Sequence, residues 1–257
     1  MENNNDKLIW ITMINYGYIN YTKNFLKSME IANVNFKLII YCIDYEKIIE
    51  ELKDFSDRNY VCIDANIFLK KSFNVSSGFK TWADIEYKKI VFCKLDAIKY
   101  TLINNKDYNL VGYIDTDIIV LSDPTKVILE YANKNQNIIV FGQCDEVVRC
   151  SNIFNCSNLC SGVIVFRNVN NIELLFEYSI EDIPKYGGDQ DFLISKYRQY
   201  NIKFMTIEKN IFLNGTFPGI KSNNQVQLPS SASLVHFNWM IGIQKEKYMK
   251  IQKLWFI

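Results

Sequence analysis

Two carboxylates interrupt an otherwise apolar run, Leu110-Val111-Gly112-Tyr113-Ile114-Asp115-Thr116-Asp117-Ile118-Ile119-Val120-Leu121. In extended chain, residues i and i+2 point to the same side, so Asp115 and Asp117 bring two negative charges close together. That costs energy unless a cation or hydrogen-bond donors compensate it, and Asp is a poor strand former. In an open α/β sheet, ligands bind beyond the carboxyl ends of the strands. A strand-terminal Asp115-x-Asp117 therefore describes a site of hard oxygen ligands for Mn2+ or Mg2+, ions that reach proteins together with substrate phosphates. The competing reading is a solvated turn with two capping aspartates.

The chain's single histidine strengthens the first reading. His236 ends the apolar stretch Leu234-Val235-His236, and Phe237-Asn238-Trp239-Met240-Ile241-Gly242 leads from it to Lys245. A neutral imidazole can complete a two-carboxylate shell. Gly242 lets backbone approach a phosphate, and Lys245 can neutralise that phosphate as a point charge. Asp115, Asp117, His236, Gly242 and Lys245 together describe one metal–diphosphate site. Against this, a lone histidine beside an apolar strand is commonly a structural residue.

The elements that must position these residues alternate. Strand-length apolar runs occur at Leu8–Ile14, Phe36–Cys42 and Tyr60–Ile63, and helical spacing at Tyr21–Ala32, Glu46–Phe55 and Ala83–Asn104. Residues 66–80 lack periodicity and read as a mobile loop. Ser122-Asp123-Pro124 has the residue order that opens a helix. Further strands are predicted at Ile138–Gly142, Ser161–Arg167 and Leu234–Phe237, and helices at Glu173–Ser179, from Asp189 towards Tyr200, and at Glu246–Trp255. This alternation predicts an α/β chain with a mixed, mainly parallel central sheet flanked by helices. No repeat or linker divides it, so the expectation is one continuous domain.

The chain has 257 residues and a net charge of +1, with 49% apolar residues. That is globular composition, and the charge balance argues against a nucleic-acid coat protein. No apolar stretch approaches a membrane span, and the polar start Met1-Glu2-Asn3-Asn4-Asn5-Asp6-Lys7 does not resemble a secretory signal. A cytoplasmic location is expected, or a viral factory if the Asn-, Ile- and Lys-rich composition reflects the AT-rich genome of a large virus. Seven cysteines argue against a full disulfide framework. Cys144, Cys150, Cys156 and Cys160 cluster, yet only Cys156-x3-Cys160 approaches zinc-ligand spacing, and loop or core thiols are the expectation.

The ordered motifs resemble those of the nucleotide-diphospho-sugar transferases, glycosyltransferases of the GT-A (Rossmann-like) fold. They are Thr12-x-x-Asn15, Lys94-Leu95, Asp115-Thr116-Asp117 with Leu121-Ser122-Asp123-Pro124, Ser161-Gly162-Val163, Gly188-Asp189-Gln190-Asp191, and His236-x-Asn238-Trp239-x-x-Gly242-x-x-Lys245. The Pro-Trp usual after the final Lys of glycogenin-like members is absent, which favours the plant-type and viral branch.

The resemblance implies a role for each matched position. Asp115, Asp117 and His236 would hold Mn2+ or Mg2+, with Asp115 also near the ribose. Lys245 and the Gly242 backbone would hold the diphosphate. Thr12, Asn15 and Tyr18 would border the base or ribose, and Lys94 would lie near the donor. Asp189, Gln190 and Asp191 would face the donor sugar as catalytic residues, with Ser161, Asn238 and Trp239 as further donor contacts. For Asp189 and Asp191, helix capping is the competing reading. The resemblance also implies division into a nucleotide-binding half, about 1–120, and an acceptor/sugar half, about 121–257.

The expected reaction is transfer of a sugar from a nucleotide-diphosphate sugar, a UDP-sugar above others, to the hydroxyl of a glycan, protein or small-molecule acceptor, with retention. The alternatives are an inactive GT-A-fold binding protein and a sugar nucleotidyltransferase. The latter usually opens with a Gly-rich basic loop, which Asn15-Tyr16-Gly17-Tyr18 is not.

Overall fold

The computed structural model describes residues 6–34, 36–55, 60–69, 78–80, 84–146 and 158–257. Cys150, Cys156 and residues 70–77 of the expected loop lie outside this set.

In chain order the strands are β1 (Leu8–Ile14), β2 (Leu38–Cys42), β3 (Tyr60–Asp64), β4 (Leu110–Ile114), β5 (Ile118–Val120), β6 (Val140–Cys144), β7 (Leu159–Arg167), β8 (Phe204–Ile207), β9 (Phe212–Leu213) and β10 (Leu234–His236). The helices are α1 (Ile19–Ile31), α2 (Tyr45–Leu52), α3 (Ile85–Asn104), α4 (Pro124–Lys134), α5 (Asp189–Gln199) and α6 (Ile243–Ile251). Seven strands form the central sheet in the order β3-β2-β1-β4-β7-β6-β8. Only β7 runs against its neighbours, antiparallel to both β4 and β6. A second sheet has the order β5-β10-β9.

Alternation along β1 shows why the large sheet is covered on both faces. Leu8, Trp10 and Ile14 join one apolar cluster with residues of α1, α2 and α4. Ile9, Ile11 and Met13 join another with residues of α3 and α5. Every residue of β1 is buried, as expected for a central parallel strand. The start of α4 follows its sequence signature: Asp123 accepts the Thr125 N–H at 2.9 Å, with Pro124 in the first turn.

Several expectations change. Asp115-Thr116-Asp117 does end the strand, as expected, and in addition forms a corner, where the chain leaves the large sheet at Ile114 and enters the small one at Ile118. Glu173–Ser179 is not a helix. A 3-10 turn covers Ile172–Phe176, Glu177 is extended, and Ser179 begins a capping box that starts another turn. The last helix starts at Ile243 and stops at Ile251, because Lys253 adopts φ +57° and the Leu254 N–H bonds back to the Met249 carbonyl at 2.8 Å. The strands β8 and β9 were not foreseen. Cys144 is disulfide-bonded and so is neither a core thiol nor a zinc ligand, whereas Cys42, Cys62, Cys93 and Cys160 are free.

Candidate active site

The corner between the sheets places the acids, and strand pairing brings the imidazole to them. The Asp115 N–H bonds to the Gly162 carbonyl at 2.7 Å, prolonging the β4–β7 ladder by one residue. In the small sheet His236 lies opposite Ile118, and the Phe237 N–H bonds to the Asp117 carbonyl at 3.0 Å. As a result, one donor atom from each of Asp115, Asp117 and His236 lies within 4.8 Å of the others. His236 Nε2 is 3.2 Å from Asp117 Oδ1 and 3.9 Å from Asp115 Oδ2. The absence of a side chain at Gly162 keeps this space open. A Cβ there would sit 2.4 Å from both Asp115 Oδ2 and His236 Cε1.

Two lysines balance the carboxylates from opposite sides. Lys245, in the first turn of α6, pairs with Asp117 Oδ2. Its helix opens at Gly242 with φ +55° and ψ −131°, a conformation that favours glycine. Lys94, from the middle of α3, is 3.1 Å from Asp189 Oδ2 and 3.5 Å from Asp115 Oδ1, with its ammonium 4.6 Å from the centre of the Tyr113 ring.

These contacts decide the protonation states. Burial favours a neutral Asp117, but the charges of Lys245 and His236 outweigh it and hold the carboxyl well below its ordinary range. Burial likewise opposes a charged His236, yet Asp117 and then Cys160 raise the imidazole to about 10. For Lys94, burial is overcome by Asp115 and Asp189, and the ammonium is held well above its usual value. The charged groups of the site are thus paired with one another.

A cleft opens over this cluster. Its lining includes Asn15, Tyr18, Lys94, Asp115, Asp117 and Lys245, all named by the sequence reading. Tyr87 and Tyr113 also line it and were not foreseen. Thr12 is fully buried in β1 and does not line the cleft. Asn15 Nδ2 donates to the Gly78 carbonyl at 3.0 Å, and the Tyr18 hydroxyl to the Lys80 carbonyl at 3.2 Å.

A second polar group assembles beside the acids, around Asp145, a residue that sequence reasoning missed. Its Oδ2 accepts from Gln190 Nε2 at 2.9 Å, and its Oδ1 from Asn238 Nδ2 and Trp239 Nε1, each at 2.8 Å. Gln190 Oε1 accepts the Ser161 N–H at 3.1 Å, and Ser161 Oγ lies 3.5 Å from Lys94 Nζ. Trp239 stays half-exposed with φ +59°, a conformation an aromatic residue holds only under constraint. Asp189 is buried against Lys94, while Asp191 is exposed at the start of α5. The structure therefore draws Ser161, Gln190, Asn238 and Trp239 into one network and leaves Asp191 outside it.

A family model for nucleotide-diphospho-sugar transferases matches residues 50–249. The chain belongs to this family. The match spans α3, the acidic corner, the Asp145 network and His236, and leaves Asn15 and Tyr18 of the cleft outside it. No curated protein matches the chain. Among solved structures, mouse xyloside xylosyltransferase 1 aligns with a TM-score of 0.58 at 12% identity, over 91% of this chain and 98% of that one. The bifunctional glycosyltransferase WbbM aligns at 0.58 and 10% identity over 98% of this chain, which spans only 50% of WbbM's length. The galactosyltransferase LgtC, solved with donor and acceptor sugar analogues, aligns at 0.53 and 10% identity over 95% of each chain. The fold of the transferase is thus GT-A, with the mixed, mostly parallel sheet its sequence predicts, and the chain is a glycosyltransferase of the nucleotide-sugar type. No helix among the described residues is long and apolar enough to cross a membrane.

Proposed function

We propose that this transferase moves a sugar from a UDP-sugar to an acceptor hydroxyl, with Mn2+ or Mg2+ and with retention of anomeric configuration. One observation carries the reading: two carboxylates and an imidazole converge within 4.8 Å, with Lys245 on the same carboxylate. This donor set suits a divalent ion of hard to borderline character, and the bare Gly162 leaves the approach to it clear. Asp115, Asp117 and His236 would hold the ion, which when bound supplies Lewis-acid stabilisation to the departing diphosphate.

The remaining roles belong to the chain's own side chains. Lys245, released from Asp117, lays its ammonium against the diphosphate, and the Gly242 backbone approaches the same group. Asn15 and Tyr18 border the base or ribose, with Thr12 acting from the strand that leads into them. Lys94 pairs with Asp115 and Asp189 near the donor. Gln190 stands nearest the reacting carbon, flanked by Asp189 and Asp191, and Ser161, Asn238 and Trp239 complete the sugar side. In this reading residues up to about 120 serve the nucleotide and the rest mainly the sugar and acceptor, a glycan, protein or small molecule. The uridine and the retention rest on the motif resemblance. A cytosolic site of action accords with Cys42, Cys62, Cys93 and Cys160 being free thiols among the described residues.

Calorimetry with UDP in Mn2+ and again in EDTA tests the proposal. Binding only in Mn2+ is expected, and equal binding in both would sink the metal site. A panel of nucleotide-sugars scored for slow hydrolysis then identifies the donor. Mn2+-dependent UDP binding without hydrolysis of any donor would mark the chain as a binding protein instead.

A further inference from the structure

His236 is the only histidine in the chain, and the proton on its Nδ1 is held by a residue outside the cleft lining. We propose that Gln143 of β6 is a positioning residue that keeps a proton on His236 Nδ1 and so reserves Nε2 for Asp115, Asp117 and the cation they would hold. The last part of this inference rests on the metal reading above.

Gln143 is fully buried. Its Nε2 donates to the Leu213 carbonyl at 2.7 Å and lies 3.4 Å from the Phe212 carbonyl. Both groups only accept, so the amide nitrogen must face them. The reversed amide would set oxygen against two carbonyl oxygens in the protein interior, where an unmatched polar group is costly. The amide oxygen is thereby turned to His236 Nδ1 at 2.8 Å. An amide oxygen cannot donate, so Nδ1 must carry the proton. The other neighbour of Nδ1, Cys160 Sγ, is 3.7 Å away and is itself the target of Asn238 Nδ2 at 3.7 Å. The opposite ring nitrogen then faces the acids, 3.2 Å from Asp117 Oδ1. A neutral ring protonated on Nε2 instead would withhold the lone pair a cation needs.

The backbone is arranged to deliver this side chain. The β6–β7 pairing shifts register between Gly142 and Cys144, an irregularity of the kind that re-aims side chains beside active sites. Gln143 also spans the two sheets. It leaves the large sheet at β6, is held by carbonyls of β9 and holds the end of β10.

Because the imidazole is unique, 15N-histidine labelling gives one pair of ring signals that reports the proton position directly. In the wild type the Nδ1–H signal should persist with and without Mg2+, while the Nε2 signal moves when Mg2+ is added. In Gln143→Leu the Nδ1–H should lose its protection, and calorimetry should show Mn2+ binding about 10- to 100-fold weaker, the usual effect of removing an outer-shell partner. A wild-type ring protonated on Nε2 and metallated on Nδ1 would overturn the proposal. So would a folded Gln143→Leu protein with wild-type ring signals and Mn2+ affinity. If that variant fails to fold, the wild-type spectrum decides alone. A persistent Nδ1–H with no response of Nε2 to Mg2+ would uphold the Gln143 contact and refute the metal reading instead.

Discussion

If the proposed reaction holds, Lys245 and a divalent cation compete for one carboxylate. Without the cation, the ammonium neutralises Asp117; in the proposed reaction it serves the diphosphate instead. The two ligands should therefore respond in opposite directions to Lys245→Met. Mn2+ alone should bind about fivefold more tightly, since a displaced pair of this kind is worth about 1 kcal/mol, and UDP with Mn2+ should bind more weakly. Calorimetry of each separately checks this, and parallel changes would remove Lys245 from the phosphate role. Asp117→Ala should lower donor hydrolysis by at least about 100-fold, the scale of losing one electrostatic contact to developing charge. Unchanged turnover would exclude Asp117. At this scale the sequence was readable where residue type conflicted with its surroundings, as with two acids in an apolar run and a histidine ending another. Gln143 and Asp145 showed no such conflict. A Gln or Asp near a strand end is unremarkable by type, and their partners lie 45 to 94 residues away.

At the scale of elements, the candidate site depends on two glycines, Gly162 within β7 and Gly242 just before α6. Gly162→Ala would push a methyl into Asp115 and His236. Overpacking of this kind costs about 1–3 kcal/mol. Mn2+ binding by calorimetry should be lost while far-UV circular dichroism stays unchanged; retained binding would show that the space is not used. Gly242→Val forces a branched residue to φ +55° at the start of the helix that carries Lys245. It should weaken UDP binding and lower the melting temperature by several degrees, at about 2–4 °C per kcal/mol for a chain of this size. The strands with long apolar runs, β1, β2 and β4, were evident from periodicity. The strand end at Asp115-x-Asp117 was evident too, but not that the apolar residues resuming at Ile118 enter a second sheet, since nothing in their type distinguishes one sheet from another. β8 and β9, with four and two residues, are too short to show a period. Glu173–Ser179 misled because apolar residues at helical spacing also suit a 3-10 turn packed against a core, as Ile172, Leu175 and Phe176 are here.

Across the whole molecule, the candidate site joins the two sheets rather than belonging to either. Asp115 extends the large sheet, and His236 closes a strand of the small one. A ligand gripping both should resist their separation and stabilise the fold. With Mn2+ and UDP at 100 times the dissociation constant, the gain should be about 2.7 kcal/mol, read as a rise in melting temperature that EDTA reverses. A melting curve indifferent to both would contradict a ligand bound across this junction.

The order of strands along the chain has a bearing on biosynthesis. The large sheet receives its last strand, β8, at Ile207, whereas His236 and Lys245 follow later. At a ribosomal pace of about 5–20 residues per second, the last segment of that sheet is made seconds before the imidazole of His236 and the ammonium of Lys245. A message cut short in that interval would yield a product with the main scaffold and no means of turnover, so antibody detection or a folding reporter fused to such a fragment would register protein where no sugar is being moved.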